Sequence, residues 1–175
     1  MEQKLEAYRR KRNFLKTSEP SGKEEKPVGV KKRKIFAVQL HYARTTHFDF
    51  RLEWDGVLLS WAVPKGPSFN PKDKRLAVRV EEHPLDYADF EGVIPKGEYG
   101  GGTVLLWDKG YWTETEDFAR GLEKGSLKLR LDGKRLKGGW ALVRLNDKDK
   151  AEDEKENWLL FKDCLLYTSP SPRDA

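Results

Sequence analysis

Between residues 47 and 52 the side chains alternate without a break, His47, Asp49 and Arg51 against Phe48, Phe50 and Leu52. A period of two sends alternate side chains to opposite faces of an extended strand, so this segment is read as β, with one apolar face and one polar face. Short apolar runs punctuated by Gly, Pro and Asp continue along the chain. They predict strands over 36–41, 47–54, 57–63, 75–81, 103–107, 126–131, 138–145 and 157–162. Asp55-Gly56 and Asp132-Gly133 are hairpin signals between pairs of these strands. Helix is expected only over 5–15, before the breaker Ser18-Glu-Pro-Ser-Gly22, and over 114–122. Many short strands at this spacing predict an all-β chain, a single closed or nearly closed barrel behind an N-terminal arm that contains a short helix. Gly100-Gly-Gly102 is a flexible turn without the following Lys-Ser/Thr of a phosphate-binding loop. No internal repeat interrupts the pattern.

The polar face of the 47–54 strand carries the chemistry. The whole chain has three histidines, and two of them, His41 and His47, lie within eleven residues that also hold Asp49 and Arg51. A row of two metal-ligand types and a cation is costly on a strand face unless something binds there, so a metal site is favoured over a solvated strand side. The third histidine, His83, ends a second alternating segment in which Leu76, Val78 and Val80 form one face. Arg75, Arg79 and His83 are placed on the other. Guanidinium groups present a planar fork suited to phosphate, so histidine and arginine converging beside a carboxylate point to an anion site.

Composition limits the function classes. The aromatic content of 11% and six tryptophans argue for a packed core despite 36% charged residues. No run of about 18 apolar residues exists to span a membrane, and no apolar segment follows the charged N-terminus as a secretory signal would require. The formal net charge of +5 is unevenly placed. Residues 1–34 hold 12 Lys/Arg against 5 Asp/Glu, and the remainder 22 against 24. A basic arm on a near-neutral domain is a common device for gripping nucleic acid.

The runs Phe36-Ala-Val-Gln-Leu-His41, His47-Phe-Asp-Phe-Arg51-Leu-Glu53 and Ser60-Trp-Ala-Val-Pro-Lys65-Gly-Pro67 resemble the 3′-phosphoesterase domain of bacterial DNA ligase D. The likeness continues through Arg75-Leu-Ala-Val78, Glu82-His83-Pro-Leu-Asp-Tyr87, Phe90-Glu-Gly-Val-Ile-Pro-Lys-Gly-Glu-Tyr99-Gly100 and Trp158-Leu-Leu160, covering nearly the whole chain in order. That family trims DNA 3′ ends with manganese in non-homologous end joining, removing a terminal ribonucleoside and then hydrolysing the 3′-phosphate. The resemblance implies His41, His47 and Asp49 as ligands of Mn2+, a set that also suits zinc, with Arg51 and Arg75 neutralising phosphate charge. His83 would donate to the phosphate or the leaving oxygen, and Tyr87 would orient it. It also carries Lys65, Arg12 and Glu19 as substrate-contacting or site-completing residues. Arg12 and Glu19 lie in the arm, through Lys11-Arg-Asn-Phe14 and Thr17-Ser-Glu19-Pro-Ser-Gly22. Asn13 departs from the family, which has aspartate there, so Asn13→Asp is expected to raise turnover if the missing carboxylate matters. Partners implied are DNA 3′ ends, Ku and neighbouring polymerase and ligase domains, with no membrane, in the cytoplasm of a bacterium or archaeon. Two rivals are kept: a DNA-end binder without turnover, and a non-haem iron oxygenase built on the His47-x-Asp49 pair.

Domain boundaries are expected at 1–34 for the arm and 35–163 for the barrel. Cys164-Leu-Leu-Tyr-Thr-Ser-Pro-Ser-Pro-Arg-Asp174 reads, residue for residue, as a translated transposase-type sequencing adapter. Residues 164–175 are therefore expected to be non-native read-through, and the lone cysteine says nothing of redox compartment.

Overall fold

A computed structural model describes residues 3–23, 33–146 and 155–163; the proposed read-through tail lies outside them. The described residues form nine strands: β1 Lys34–Tyr42, β2 Thr46–Trp54, β3 Val57–Val63, β4 Arg75–His83, β5 Gly92–Ile94, β6 Gly102–Glu114, β7 Ser126–Gly133, β8 Lys137–Arg144 and β9 Asn157–Lys162. Antiparallel pairing runs β1-β2-β3-β4-β9-β8-β7-β6, and β1 pairs with β6 to close an eight-stranded barrel. The short β5 adds to the free end of β6. The expected all-β barrel with its short arm helix is what forms.

Closure follows from the alternation. Inward positions supply Phe36 and Val38 from β1, Phe50 and Leu52 from β2, Trp61 from β3, and Trp112, Trp140 and Trp158 from β6, β8 and β9. Each is at most 1% exposed, so four of the six tryptophans fill the barrel. A smaller cluster lies on the outside of the wall. There Ala37 and Leu58 meet Tyr87, Ala88, Phe90 and Ile94 from the segment after β4, together with Tyr8 of the arm. That second cluster makes the outer face of β1, β2 and β3 a buried surface.

Several boundaries differ from the sequence expectation. β6 runs to Glu114, not 107. Asp108-Lys-Gly110 reads as a turn, but here the strand passes straight through. Gly110 permits a backbone contact that a Cβ would block, 2.1 Å from the Asp132 carbonyl oxygen. The Asp108 carboxylate instead accepts the backbone N–H groups of Lys109, Lys134, Arg135 and Leu136 at 2.8–3.2 Å, holding the β7–β8 turn. Loss of that buried carboxylate in Asp108→Ala leaves four donors short of a partner. It should cost roughly 3 kcal/mol in urea unfolding, with unaltered stability the contrary result. The second helix, α2, spans Phe118–Lys124 instead of 114–122, because the Asp117 side chain caps Arg120 N and Gly125 ends the helix at φ +82°. The arm helix α1 is only Glu6–Arg10, after a 3-10 turn at Gln3–Leu5. Beyond it the Asn13 side chain accepts Leu15 N at 3.0 Å, a local bond that competes with helix continuation. The three-residue β5 was too short to register as a pattern.

Candidate metal and anion site

The outer faces of β1 and β2 bring the predicted ligands together through register. Gln39 stands opposite Asp49 and His41 opposite His47, so four outward positions form one tile on the wall. His41 Nδ1 lies 3.5 Å from Asp49 Oδ2, and His47 Nε2 lies 3.2 Å from Asp49 Oδ1. One ligand atom from each of the three residues falls within a sphere of contacts no wider than 4.8 Å. The remaining ring nitrogens settle the tautomers. His41 Nε2 faces the Gly100 carbonyl at 2.6 Å and His47 Nδ1 faces the Thr45 carbonyl at 2.9 Å, so each donates there. That leaves the inward-turned nitrogens with lone pairs, the arrangement that metal-binding histidines adopt. Two imidazole nitrogens and a carboxylate, each oriented from behind, fit a divalent transition metal with coordination positions to spare.

Protonation agrees with this geometry. Burial alone would raise the Asp49 carboxyl, but the Arg51 guanidinium and, in metal-free protein, the hydrogen bonds that each imidazole donates when a second proton occupies its Asp49-facing nitrogen outweigh it and hold the group well below the carboxylate range. Burial works against the His47 cation, yet its bond to Asp49 raises the imidazole above its ordinary value. Metal and proton therefore compete for His47 Nε2.

Arg51 is aimed by its neighbours. Its Nε donates to Gln39 Oε1 at 2.7 Å, Nη1 to Ser60 Oγ at 2.8 Å, and Nη2 lies 3.5 Å from Asp49. Gln39 is fully buried and its amide nitrogen donates to the Tyr87 and Phe90 carbonyls at 2.7 and 3.0 Å. Sequence reasoning passed over Gln39 and Ser60, though Gln39 shares a face with His41 two positions on, and Ser60 stands opposite Arg51.

His83 reaches the same outer face by an irregularity. Leu58 pairs with His83 and Ser60 with Val80, so β4 carries one extra residue between them. The expectation that Arg75, Arg79 and His83 share a face fails for this reason. Arg75 and Arg79 lie on the Ala77 side of β4, towards the barrel interior, with Arg75 opposite the buried Leu160. There Arg75 is 3.7 Å from Asp73 and Arg79 is 2.9 Å from Glu82. The structure thus does not bring Arg75 into the cluster. Lys65 is exposed just beyond β3 and makes no hydrogen bond or ion pair among the described residues.

The arm closes over His83. Arg12 Nε donates to Glu19 at 2.8 Å, Nη1 to Glu81 at 3.3 Å, and Nη2 faces His83 Nε2 at 3.3 Å. The guanidinium also sits 4.0 Å above the Tyr8 ring. Glu19, 4% exposed, accepts the Tyr87 hydroxyl at 2.8 Å and Thr17 Oγ1 at 2.9 Å. The Tyr87 and His83 rings meet edge to face with centroids 4.7 Å apart while the Tyr87 hydroxyl goes to Glu19, and burial pushes that phenol well up. Glu81, unmarked in the sequence reading, joins Lys11 at 3.0 Å as well as Arg12. Asn13 is exposed and spends its side chain on the Leu15 turn.

His83 Nδ1 donates to the Glu81 carbonyl at 2.9 Å, so Nε2 is the acceptor facing Arg12. Burial first, then the Arg51 and Arg12 cations, hold the imidazole neutral well below its ordinary value. The unfolded chain then binds a proton below about pH 6.5 that the folded one refuses. In metal-free protein, acidification from pH 7 to 5 should weaken the fold by up to roughly 1.4 kcal/mol per pH unit through this group. His83→Gln should remove that component from pH-dependent urea unfolding; an unaltered profile would mean His83 is not held neutral.

The profile of the family described as the DNA Ligase D 3′-phosphoesterase domain matches residues 39–144, from Gln39 of the site wall to the end of β8. The chain belongs to the DNA ligase D 3′-phosphoesterase family. A multifunctional non-homologous end joining protein LigD of Pseudomonas aeruginosa is 52% identical over 158 residues, covering 90% of this chain and 18% of that protein. A multifunctional non-homologous end joining DNA repair protein LigD of Mycobacterium tuberculosis is 46% identical over 143 residues, 82% of this chain and 18% of its own length. In Mycolicibacterium smegmatis the corresponding LigD is 41% identical over 166 residues, 91% and 20% of the two chains. The chain thus spans about a fifth of the length of these relatives. Among the described residues, no helix is long and apolar enough to cross a membrane.

Proposed function

We propose that this domain is a manganese-dependent phosphoesterase that heals DNA 3′ ends, removing a terminal ribonucleoside and hydrolysing the 3′-phosphate during non-homologous end joining. The observation that carries the reading is the juxtaposition of the His41–His47–Asp49 triad with the Arg51 guanidinium, 3.5 Å from the shared carboxylate. A bound divalent ion would polarise a phosphate oxygen as a Lewis acid. Arg51, fixed by Gln39 and Ser60, neutralises charge that grows on the equatorial oxygens, and its rigidity spares reorganisation at the moment of reaction. Arg12 lies across His83 from the arm side and adds a second cation to the anion's path. A phosphate arriving between these cations would offset their repulsion of a proton at His83 Nε2, allowing that nitrogen to donate to the phosphate or to a leaving oxygen.

Glu19 and Tyr87 act as a hinge post in this reading, since their hydrogen bond ties the arm to the turn that follows β4. Arg75 and Lys65 belong to the proposal through family likeness, as contacts for substrate beyond the cluster. Ku and the polymerase and ligase functions of the longer relatives are proposed as partners on the same basis. The clustering of guanidinium groups beside the triad favours an anionic substrate over the oxygen chemistry of a two-histidine, one-carboxylate iron enzyme.

The test is release of inorganic phosphate from a 3′-phosphorylated oligonucleotide with Mn2+, and its arrest by a chelator. Binding of DNA ends without any phosphate release would support the rival of an end binder that does not turn over.

A further inference from the structure

One cleft of the described surface is lined by none of the residues of the metal and anion site. In the strand ring, β7 stands opposite β3 and β8 opposite β2, while β6 borders β1. The cleft lies on the outer surface of β6, β7 and β8, measures about 350 Å3, and its lining includes Arg33, Tyr111, Arg130, Asp132 and Lys137. Register explains the gathering. Trp112 and Leu131 pair inward, which turns Tyr111 with Asp132, and Thr113 with Arg130, to the outside; Lys137 then follows Asp132 across β8.

Three cations thus face one carboxylate around a tyrosine that is 43% exposed. The Arg33 guanidinium lies 4.4 Å over the Tyr111 ring and 3.4 Å from Asp132, a solvent-open pair in which both side chains are more than half exposed. Arg33 is also part of one of the two runs of four consecutive basic residues in the chain, Lys31-Lys-Arg-Lys34; the other is Arg9-Arg-Lys-Arg12. The basic excess of residues 1–34 is therefore divided. Lys11 and Arg12 sit beside Glu81 and His83, while Arg33 and Lys34 enter the barrel at the other end of β1 from His41, about 23 Å away at the usual strand rise.

We propose that this cleft is a second nucleic-acid contact, gripping the backbone of a single strand with Arg33, Arg130 and Lys137 while a base stacks on Tyr111. Cations interleaved with an exposed aromatic ring are what sequence-tolerant single-strand binding requires, since every base has a face to stack and every nucleotide a charge to pair. Asp132 preorganises Arg33 without cancelling the site's positive sign. A strand held here and a 3′ end held at the metal centre would engage two walls of one barrel, so length should matter for binding and not for the chemical step. The inference rests on the reading of this chain as a DNA-end enzyme.

The experiment compares the full chain with Arg130→Gln/Lys137→Gln and with Tyr111→Ala. Affinity is measured for a labelled single strand of about 30 nucleotides, longer than one contact site, across a salt series. Phosphate release is measured on a 3′-phosphorylated trinucleotide too short to bridge both walls. Two lost phosphate contacts should flatten the salt slope by about 1.4 units at ~0.7 each on single strands. Loss of the ring should weaken long-strand binding at least about fivefold, with trinucleotide turnover unchanged for both variants. Unaltered slope and affinity in both variants would overturn the proposal, as would an equal loss on the trinucleotide. Failure of the unsubstituted protein to release phosphate would strike the catalytic reading instead, and the slope comparison would still decide the cleft.

Discussion

Asp49→Ala is expected to abolish Mn2+-dependent phosphate release from a 3′-phosphorylated oligonucleotide while the barrel stays folded. Asp49 is the one residue that touches all the others: both histidines and Arg51 converge on its two oxygens. Its loss removes a ligand, frees the two imidazoles from their common anchor and leaves Arg51 without its anion. Several kcal/mol of transition-state stabilisation depend on the ion alone, so a fall of about three powers of ten is the expected scale. Folding should survive because Asp49 points away from the Phe50 and Leu52 side of β2, and Arg51 keeps Gln39 and Ser60. His41→Ala and His47→Ala should behave alike, with Mn2+ affinity by calorimetry lost in step. Retained turnover in any two of the three would remove the metal assignment.

Deletion of residues 1–23 should be nearly as damaging, by a different route. The segment supplies Arg12, Glu19 and the buried Tyr8, and its removal uncovers the Leu58–Tyr87–Ala88 cluster on the outer wall. Turnover should fall by roughly 100-fold or more, the scale for losing one positioned charge donor at a reacting phosphate. DNA-end affinity should fall with a flatter salt slope, since Lys11 and Arg12 leave with the arm. The milder Glu19→Ala isolates the cause. It strands Arg12 and the Tyr87 hydroxyl and should destabilise the fold by about 3 kcal/mol. Wild-type rates after the deletion would reduce the arm to a solubilising tail.

The site wall was largely legible in the sequence because period two is exact along β2. His47, Asp49 and Arg51 could only face one way, and Phe50 and Leu52 the other. Reading β4 the same way misplaced Arg75, since one inserted residue before His83 reverses the parity and leaves no trace in the pattern. Gln39, Ser60 and Glu81 were missed for a different reason. They are ordinary polar residue types whose importance arises only from burial against Arg51 and Arg12, and burial on an outer face is decided by the segments laid over it. That Arg12 and Glu19 belong to the site came from family likeness, which the arm's own short, irregular helix would not have announced; their places, Arg12 on His83 and Glu19 on Arg12 and Tyr87, came only with the fold.

The separation of an apolar interior from a polar outer wall has an evolutionary corollary. Because neighbouring residues on one strand answer to different demands, a complete substitution map of β1 and β2 should be striped. Changes at Phe36, Val38, Phe50 and Leu52 would register in melting temperature, and changes at Gln39, His41, Asp49 and Arg51 in turnover. Selection can therefore retune the chemistry of this barrel one stripe at a time, without disturbing what holds it together.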